Sequence, residues 1–352
     1  MKMTWLVVLL GMGISAAAQK TDTLRYPSEK HLKNIQQLTF GGDNAEAYWS
    51  FSGKSLTFQS NYSGFGAQCD QIFWMPAKPG KKFKVNPISH GKGRTTCSYF
   101  LPGDRSILFA STQAAGTNCP PDVPREKNGP YLWPIYNEFD VYTSDLKGEN
   151  QKVLLASNGY DAEATVSPKG DKIVFTSTRN GDLDLFTCNI DGSDVKQITF
   201  ELGYDGGAFF SPDGKQIVFR ASRPKSVEDV EKYKGYLSRG LVAPTQMEIF
   251  VCNADGSNLR QVTNLGKANW APYFTPNGKS ILFSSNHASK RGFNFNIYKI
   301  NLDGSGLEQI TFDGVFDSFP MFSPDGKKVV FSSNRNNRGT KDTNVFVADW
   351  VD

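Results

Sequence analysis

Hydrophobic and polar residues alternate along this chain in short runs bounded by Gly, Pro, Asn and Asp, the pattern of β-strands joined by tight turns. The clearest run recurs as VSPKGDKIVF at 166–175, FSPDGKQIVF at 210–219, FTPNGKSILF at 274–283 and FSPDGKKVVF at 322–331. Weaker copies, WSFSGKSLTF at 49–58 and YFLPGDRSILF at 99–109, complete a set of six. A further alternating strand follows each copy: DQIFWMPA, FDVYTSDLKG, LDLFTCNIDG, MEIFVCNADG, FNIYKINLDG and TNVFVADW. An outer strand then closes the unit, as in DVKQITF at 194–200, NLRQVTN at 258–264 and GLEQITF at 306–312.

Each repeat therefore supplies four short strands, and the interval from Phe175 to Phe219 is the length of one four-stranded blade, longer intervals holding insertions. Such sheets cannot bury both faces alone, but six of them stacked radially around a channel can. The pattern predicts an all-β, six-bladed β-propeller over residues 35–352. The last repeat stops at Val345–Trp350 with no outer strand after it, whereas Ile35–Phe40, ending in Gln37-Leu38-Thr39-Phe40, matches the outer-strand pattern and precedes the first blade. The N-terminal strand is thus expected to close the last blade.

Lys2, the apolar run Trp5–Ile14 and the small residues Ala16–Ala18 read as a signal peptide over residues 1–18, with a mature chain from Gln19 and a leader over 19–34. The run is short for a bilayer span, so no membrane span is expected after cleavage, and the product should be periplasmic or secreted, and monomeric. A net charge of +4 without a Lys/Arg block gives no footprint for nucleic acid.

The S-P-D-G-K and Q-I-T repeats resemble the PD40, or WD40-like, propeller repeats of the TolB family, over about residues 35–352. The resemblance implies the fold and leaves function open, because propellers host many roles. TolB itself carries an α/β domain ahead of its propeller; the short leader here leaves no room for one, so the likeness is to stand-alone exported bacterial propellers.

The S-P-D-G-K and D-G-S turns are scaffold: Gly supplies positive φ, Pro presets φ, and Asp bonds the turn backbone. The long connections, 59–69, 111–138, 222–246 and 284–294, all fall between second and third strands and open on the opposite face. On that face the inner strands begin with Asn44, Thr95, Asp161, Asp205, Asn269 and Asp317, a polar ring at the channel mouth, with Glu46 and Glu163 two residues further in. Four residues past each closing Phe stand Tyr62, Gln113, Arg179, Arg223, His287 and Arg335. These rings either tie blades together or contact a ligand; as candidate binding residues they are Asn44, Glu46, Asp161, Glu163, Arg179, Asp205, Arg223, His287, Asp317 and Arg335. Tyr131 and Trp133, in a Pro- and aromatic-rich flap after Cys119, could stack on a sugar ring or grip an extended peptide, or close over the channel as a lid. Residues 226–239 read as a helix, Ser226 and Asp229 resembling a capping box.

Cys188 and Cys252 occupy equivalent third-strand positions and are expected to be free and buried. Among Cys69, Cys97 and Cys119, a Cys97–Cys119 disulfide is preferred, with Cys69 as the alternative partner. No metal motif is present, and the one cofactor to consider is Ca²⁺ held by channel carboxylates. Only His31, His90 and His287 are available as imidazole bases, and no G-x-S-x-G, H-E-x-x-H or P-loop pattern occurs. The expected function is non-catalytic binding of an envelope or extracellular protein, peptide or glycan. The alternatives are a carboxylate-dependent carbohydrate lyase or hydrolase using Asp161, Glu163 and Asp205, and an accessory protein of an exported peptidase.

Overall fold

The computed structural model describes residues 22–79, 83–124, 129–290 and 292–352. The expected signal peptide therefore lies outside the described residues. Among those described, no helix is long and apolar enough to cross a membrane.

Six four-stranded antiparallel sheets form the blades. Their inner strands are Asn44–Trp49, Thr95–Phe100, Asp161–Val166, Asp205–Phe210, Asn269–Phe274 and Asp317–Phe322. The second strands end their apolar run in Phe58, Phe109, Phe175, Phe219, Phe283 and Phe331, all fully buried between blades. Burying each such side chain contributes about 1.5–3 kcal/mol, so this belt is one repeated part of the apolar burial that holds the blades together.

The last blade is closed by the N-terminus: Leu32–Gln37 pairs antiparallel with Asn344–Trp350, Leu32 opposite Trp350 and Gln37 opposite Phe346. The strand begins earlier than expected, because Leu32 and Ile35 are both buried against blade six. The Q-I-T pattern also has a local cause. In blade three the Thr199 hydroxyl accepts from Leu185 N at 2.9 Å, Ile198 N donates to Leu185 O at 2.9 Å, and Gln197 Nε2 donates to Thr199 O at 2.8 Å. Blade six repeats this with Thr39 on Val345 N at 2.8 Å, Leu38 N on Val345 O at 2.8 Å and Gln37 on Thr39 O at 2.9 Å.

The leader is fastened as well. Glu29, fully buried, takes Arg335 at 2.8 Å, and His31 reaches Val351 O at 2.7 Å while stacking on Trp350.

The blade-four insertion forms the expected helix, Val227–Leu237, with the Ser226 hydroxyl accepting from Asp229 N. Its buried Tyr233 donates to Asp182 of blade three. Beyond it, Leu241–Val242 pairs with Trp133–Pro134 of the blade-two flap, a two-stranded link between the two insertions.

Candidate functional site

Every inner strand carries a β-bulge at the same place, and its third residue is left-handed: Glu46, Cys97, Glu163, Gly207, Ala271 and Phe319 all have φ between 48° and 59°. A bulge re-aims side chains, and here the third residues line the channel. Five of the six are not glycine, so the surrounding sheet holds them in a region that L-residues avoid.

Below this ring the channel is plugged. Tyr48 packs on Tyr99 and on Phe209 from the opposite side of the ring, with centroids 5.8 and 5.5 Å apart, and Phe209 packs on Tyr273 at 5.2 Å. The Tyr99 and Tyr273 hydroxyls are hydrogen-bonded to each other. Above the ring, toward the insertions, lies a cavity of about 650 Å³ whose walls include Arg94, Asp70, Trp133, Tyr136 and Trp270. The channel is therefore a blind pocket open on the insertion face.

At its centre the Glu163 carboxylate accepts from Tyr204 at 2.6 Å, Thr176 at 2.8 Å and Gly207 N at 2.9 Å, and it is ion-paired with Arg220. Burial pushes this carboxyl up, but the Arg220 guanidinium together with the Tyr204, Thr176 and Gly207 hydrogen bonds outweighs it and holds the carboxyl below its usual range. Arg220 enters the channel only because Gly206 and Gly207 lack side chains. A Cβ on Gly207 would lie 1.8 Å from Arg220 Nη1, and one on Gly206 2.2 Å from Glu163 Oε2. Tyr204 and Trp133 flank the guanidinium, at 5.1 and 5.4 Å from their ring centres. Glu46 is placed differently. Its carboxylate receives the Tyr48 hydroxyl at 3.4 Å and the Cys97 thiol, and burial, with Glu163 nearby, pushes its pKa up to about 7.

The flap is anchored on this pocket. Trp133 packs on Trp270 at 5.2 Å, and Tyr131 meets Trp133 edge-on while remaining 41% exposed. Arg94 binds Asp122 of the flap at 2.5 Å and lies 3.6 Å from Asp70. The disulfide joins Cys69 to Cys119, not Cys97 to Cys119, fixing the start of the flap to the blade-one insertion. Cys97 is a free thiol because the bulge turns it into the channel toward Glu46. Cys188 and Cys252 are free and buried as expected.

The ring of strand-opening residues is not a ligand surface. Asp161, Asp205 and Asp317 are 0% exposed and pair within their own blades with Arg179 at 2.8 Å, with Arg223, and with Arg335 at 3.3 Å. Asn44 and Asn269, equally buried, donate to Thr343 O at 3.0 Å and Met247 O at 2.8 Å of the preceding blade. In blade five, His287 joins Asn269 through the Ser285 hydroxyl. The arginines lie over phenylalanine rings, Arg179 on Phe175 at 5.0 Å and Arg335 on Phe331 at 4.9 Å. Asp161 and Asp205 are thus sealed away from any substrate, which leaves Glu163 as the only member of the expected acid–base trio that lines the pocket. Sequence reasoning missed Arg220, Tyr204 and the Gly206-Gly207 pair. The available signal was an Arg at a second-strand position where the other repeats carry Gln59, Ala110, Thr176, Ser284 and Ser332. Among the described residues, no three His, Cys, Asp or Glu side chains are grouped to hold a metal ion.

The TolB β-propeller domain family matches residues 136–242 and 241–347. The chain belongs to the TolB β-propeller family. Solved structures agree on the fold. A TolB protein of Agrobacterium tumefaciens superposes with a TM-score of 0.59 at 17% identity, over 90% of this chain and 97% of that one. TolB of Acinetobacter baumannii gives 0.55 at 16% identity, over 88% of this chain and 64% of that one. No curated protein matches the chain in sequence. At such identities the likeness shows the propeller alone, and the pocket must be read from its own residues.

Proposed function

We propose that this protein is a binding propeller of the periplasm or cell exterior that holds a peptide or glycan in the blind pocket of its insertion face without turning it over. One observation carries this reading: the channel is plugged by aromatic side chains at one end and widens at the other into a cavity of about 650 Å³ beneath an aromatic flap. Pockets of this size, walled by aromatics with a few placed polar groups, suit ligands of a few residues. Trp133 and Tyr131 supply flat, rigid contact area, and Arg94, Asp70 and Glu46 supply orientation. A TolB-like propeller fold agrees with a binding or scaffold role.

The test is to purify the protein from its native host, identify what co-purifies, and measure its affinity. Trp133→Ala should weaken binding about tenfold or more, as for a central aromatic anchor. Unchanged affinity would remove the pocket from the proposal.

A second reading, carboxylate-dependent chemistry on a carbohydrate, is favoured by one observation. Glu46 is raised to about 7 while Glu163 is held low in the same cavity, and a separated pair of this kind can divide acid and base roles. Turnover of an oligosaccharide that disappears in Glu163→Gln would select it over pure binding.

A further inference from the structure

The pocket does not end at the ring of left-handed residues. Between that ring and the aromatic plug lies a second chamber of about 30 Å³, lined by Glu46, Tyr48, Glu163, Phe209, Arg220 and Phe319 among others. Two carboxylates and one guanidinium face it. Arg220 is committed to Glu163, by the ion pair and by the shared Tyr204 hydroxyl, so the negative charge of Glu46 has no cation of its own among the described residues. Glu46 is joined only by a thiol and a tyrosine hydroxyl, neither of which carries charge.

We infer that this chamber is a subsite for the ε-ammonium of a lysine side chain on a peptide ligand, seated on Glu46. The inference rests on the binding reading and names its ligand. Three features carry it. The chamber is small, about 30 Å³, and suits a compact ammonium head better than a broad planar guanidinium. The acceptors suit three N–H donors: the Glu46 carboxylate, the Tyr48 oxygen and the Thr165 hydroxyl, whose own proton goes to Ala208 O at 2.7 Å. Phe209 and Phe319 complete the wall with aromatic surface that tolerates a cation. A lysine fits the approach because its unbranched stem can pass the ring, whereas an amine attached directly to a sugar ring stays in the wider cavity above.

In the absence of ligand, and below about pH 7, a proton takes the place of the cation on Glu46. The groups facing it are Tyr48 from its own strand, Cys97 from blade two, Glu163 from blade three, Arg220 from blade four and, at longer range, Asp70. Cys97 and Tyr48 stay neutral at ordinary pH because burial pushes both well up, so Glu46 is the member of the group that exchanges its proton for the ligand.

The experiment uses the whole chain with n-butylammonium as probe, measured by calorimetry and ligand-observed NMR at pH 6 and pH 8. n-Butylguanidinium, n-butanol and glucosamine serve as comparisons. Butylammonium is expected to bind at pH 8 about tenfold more tightly than any of the others, and to weaken at pH 6 as the proton competes. Glu46→Gln should abolish that preference, and Ala271→Leu, which fills the chamber from another wall and keeps the Glu46 carboxylate, should do the same. Thermal unfolding checks that both variants are folded. Equal binding of butylammonium to wild type and Glu46→Gln, preference for guanidinium or glucosamine, or no binding at all would overturn the subsite. The broader reading is separated from it by Trp133→Ala: a native ligand that depends on Trp133 but not on Glu46 leaves a binding propeller without an amine subsite.

Discussion

Two rings of residues, two positions apart on the same six inner strands, have opposite characters. The strand-opening ring varies little in chemistry, since all six members are polar, and all are buried and bonded within the blade or to its neighbour. The third-residue ring is uniform only in backbone: six left-handed bulges carry Glu46, Cys97, Glu163, Gly207, Ala271 and Phe319. Where a repeat protein keeps its chemistry constant, the residues answer a problem that every blade shares, namely satisfying a strand end beneath the insertion face. Where geometry stays constant and chemistry varies, the blades have been individually fitted to something at the centre. The difference divides the channel at this level into an acidic half from blades one to three and an apolar half from blades four to six.

If the first ring and the strand closure are scaffold, breaking them must destabilise the whole molecule. Deleting residues 32–39 removes the buried Leu32, Ile35 and Leu38 and leaves the Asn344–Trp350 edge unpaired. The expected loss is about 5 kcal/mol or more on apolar burial alone. The denaturant midpoint should fall steeply, and wild-type stability in the deletion would end the closure argument. Next in size is Arg335→Ala, which strands the buried Glu29 and Asp317 carboxylates. Removing one partner of such a cluster costs about 3–5 kcal/mol. The midpoint should fall accordingly, and a shift under about 1 kcal/mol would place Arg335 with surface ion pairs instead.

The third-residue ring answers to smaller changes. Gly207→Ala puts a methyl where Arg220 Nη1 now lies and forces a side chain at φ 59°. About 1–3 kcal/mol of strain is expected, and the Trp133 fluorescence should change as the guanidinium moves away. A variant with wild-type stability and fluorescence would show that Arg220 does not need the glycine gap.

How much of this was legible in the sequence follows from the same contrast. The blade number, the closing strand and the capped helix could be read because each rests on local patterns repeated or bounded within a few residues: S-P-D-G-K, Q-I-T, Ser226 with Asp229. The strand-opening residues were visible as a ring but their exposure was not, because a buried Asp and a ligand-facing Asp are the same letter, and only the arginine stacked on its phenylalanine tells them apart. Cys97 illustrates the other limit. Strand alternation does not show a bulge, so nothing in the spacing revealed that the thiol turns into the channel and leaves Cys69 to pair with Cys119. Arg220 acts through Gly207 on the neighbouring strand and Glu163 on the neighbouring blade, a coupling that periodicity does not encode.

The finest test of the contrast is Glu46→Gln followed across pH. The Glu46 carboxyl is raised from 4.5 to about 7 by burial and by Glu163, so the folded protein binds its proton more tightly than the unfolded chain does. The wild type therefore has the full benefit of this group below about pH 4.5, loses stability progressively as pH rises toward 7, and stays at the lower level above it. Glutamine has no charge to desolvate, so Glu46→Gln should match the wild type near pH 4.5 and become more stable between pH 5 and 7. Because Glu46 is only half-buried and solvent screens its carboxylate, the gain should reach about 1–2 kcal/mol at pH 8. The strand-opening position predicts the reverse: Asp317→Asn leaves Arg335 with one fewer counter-charge and should lose stability at pH 8. Parallel unfolding curves from pH 4.5 to 8 read both signs in one experiment. A Glu46→Gln protein that is destabilised at pH 8, like Asp317→Asn, would mean that Glu46 is one more structural tie and that the two rings do the same work.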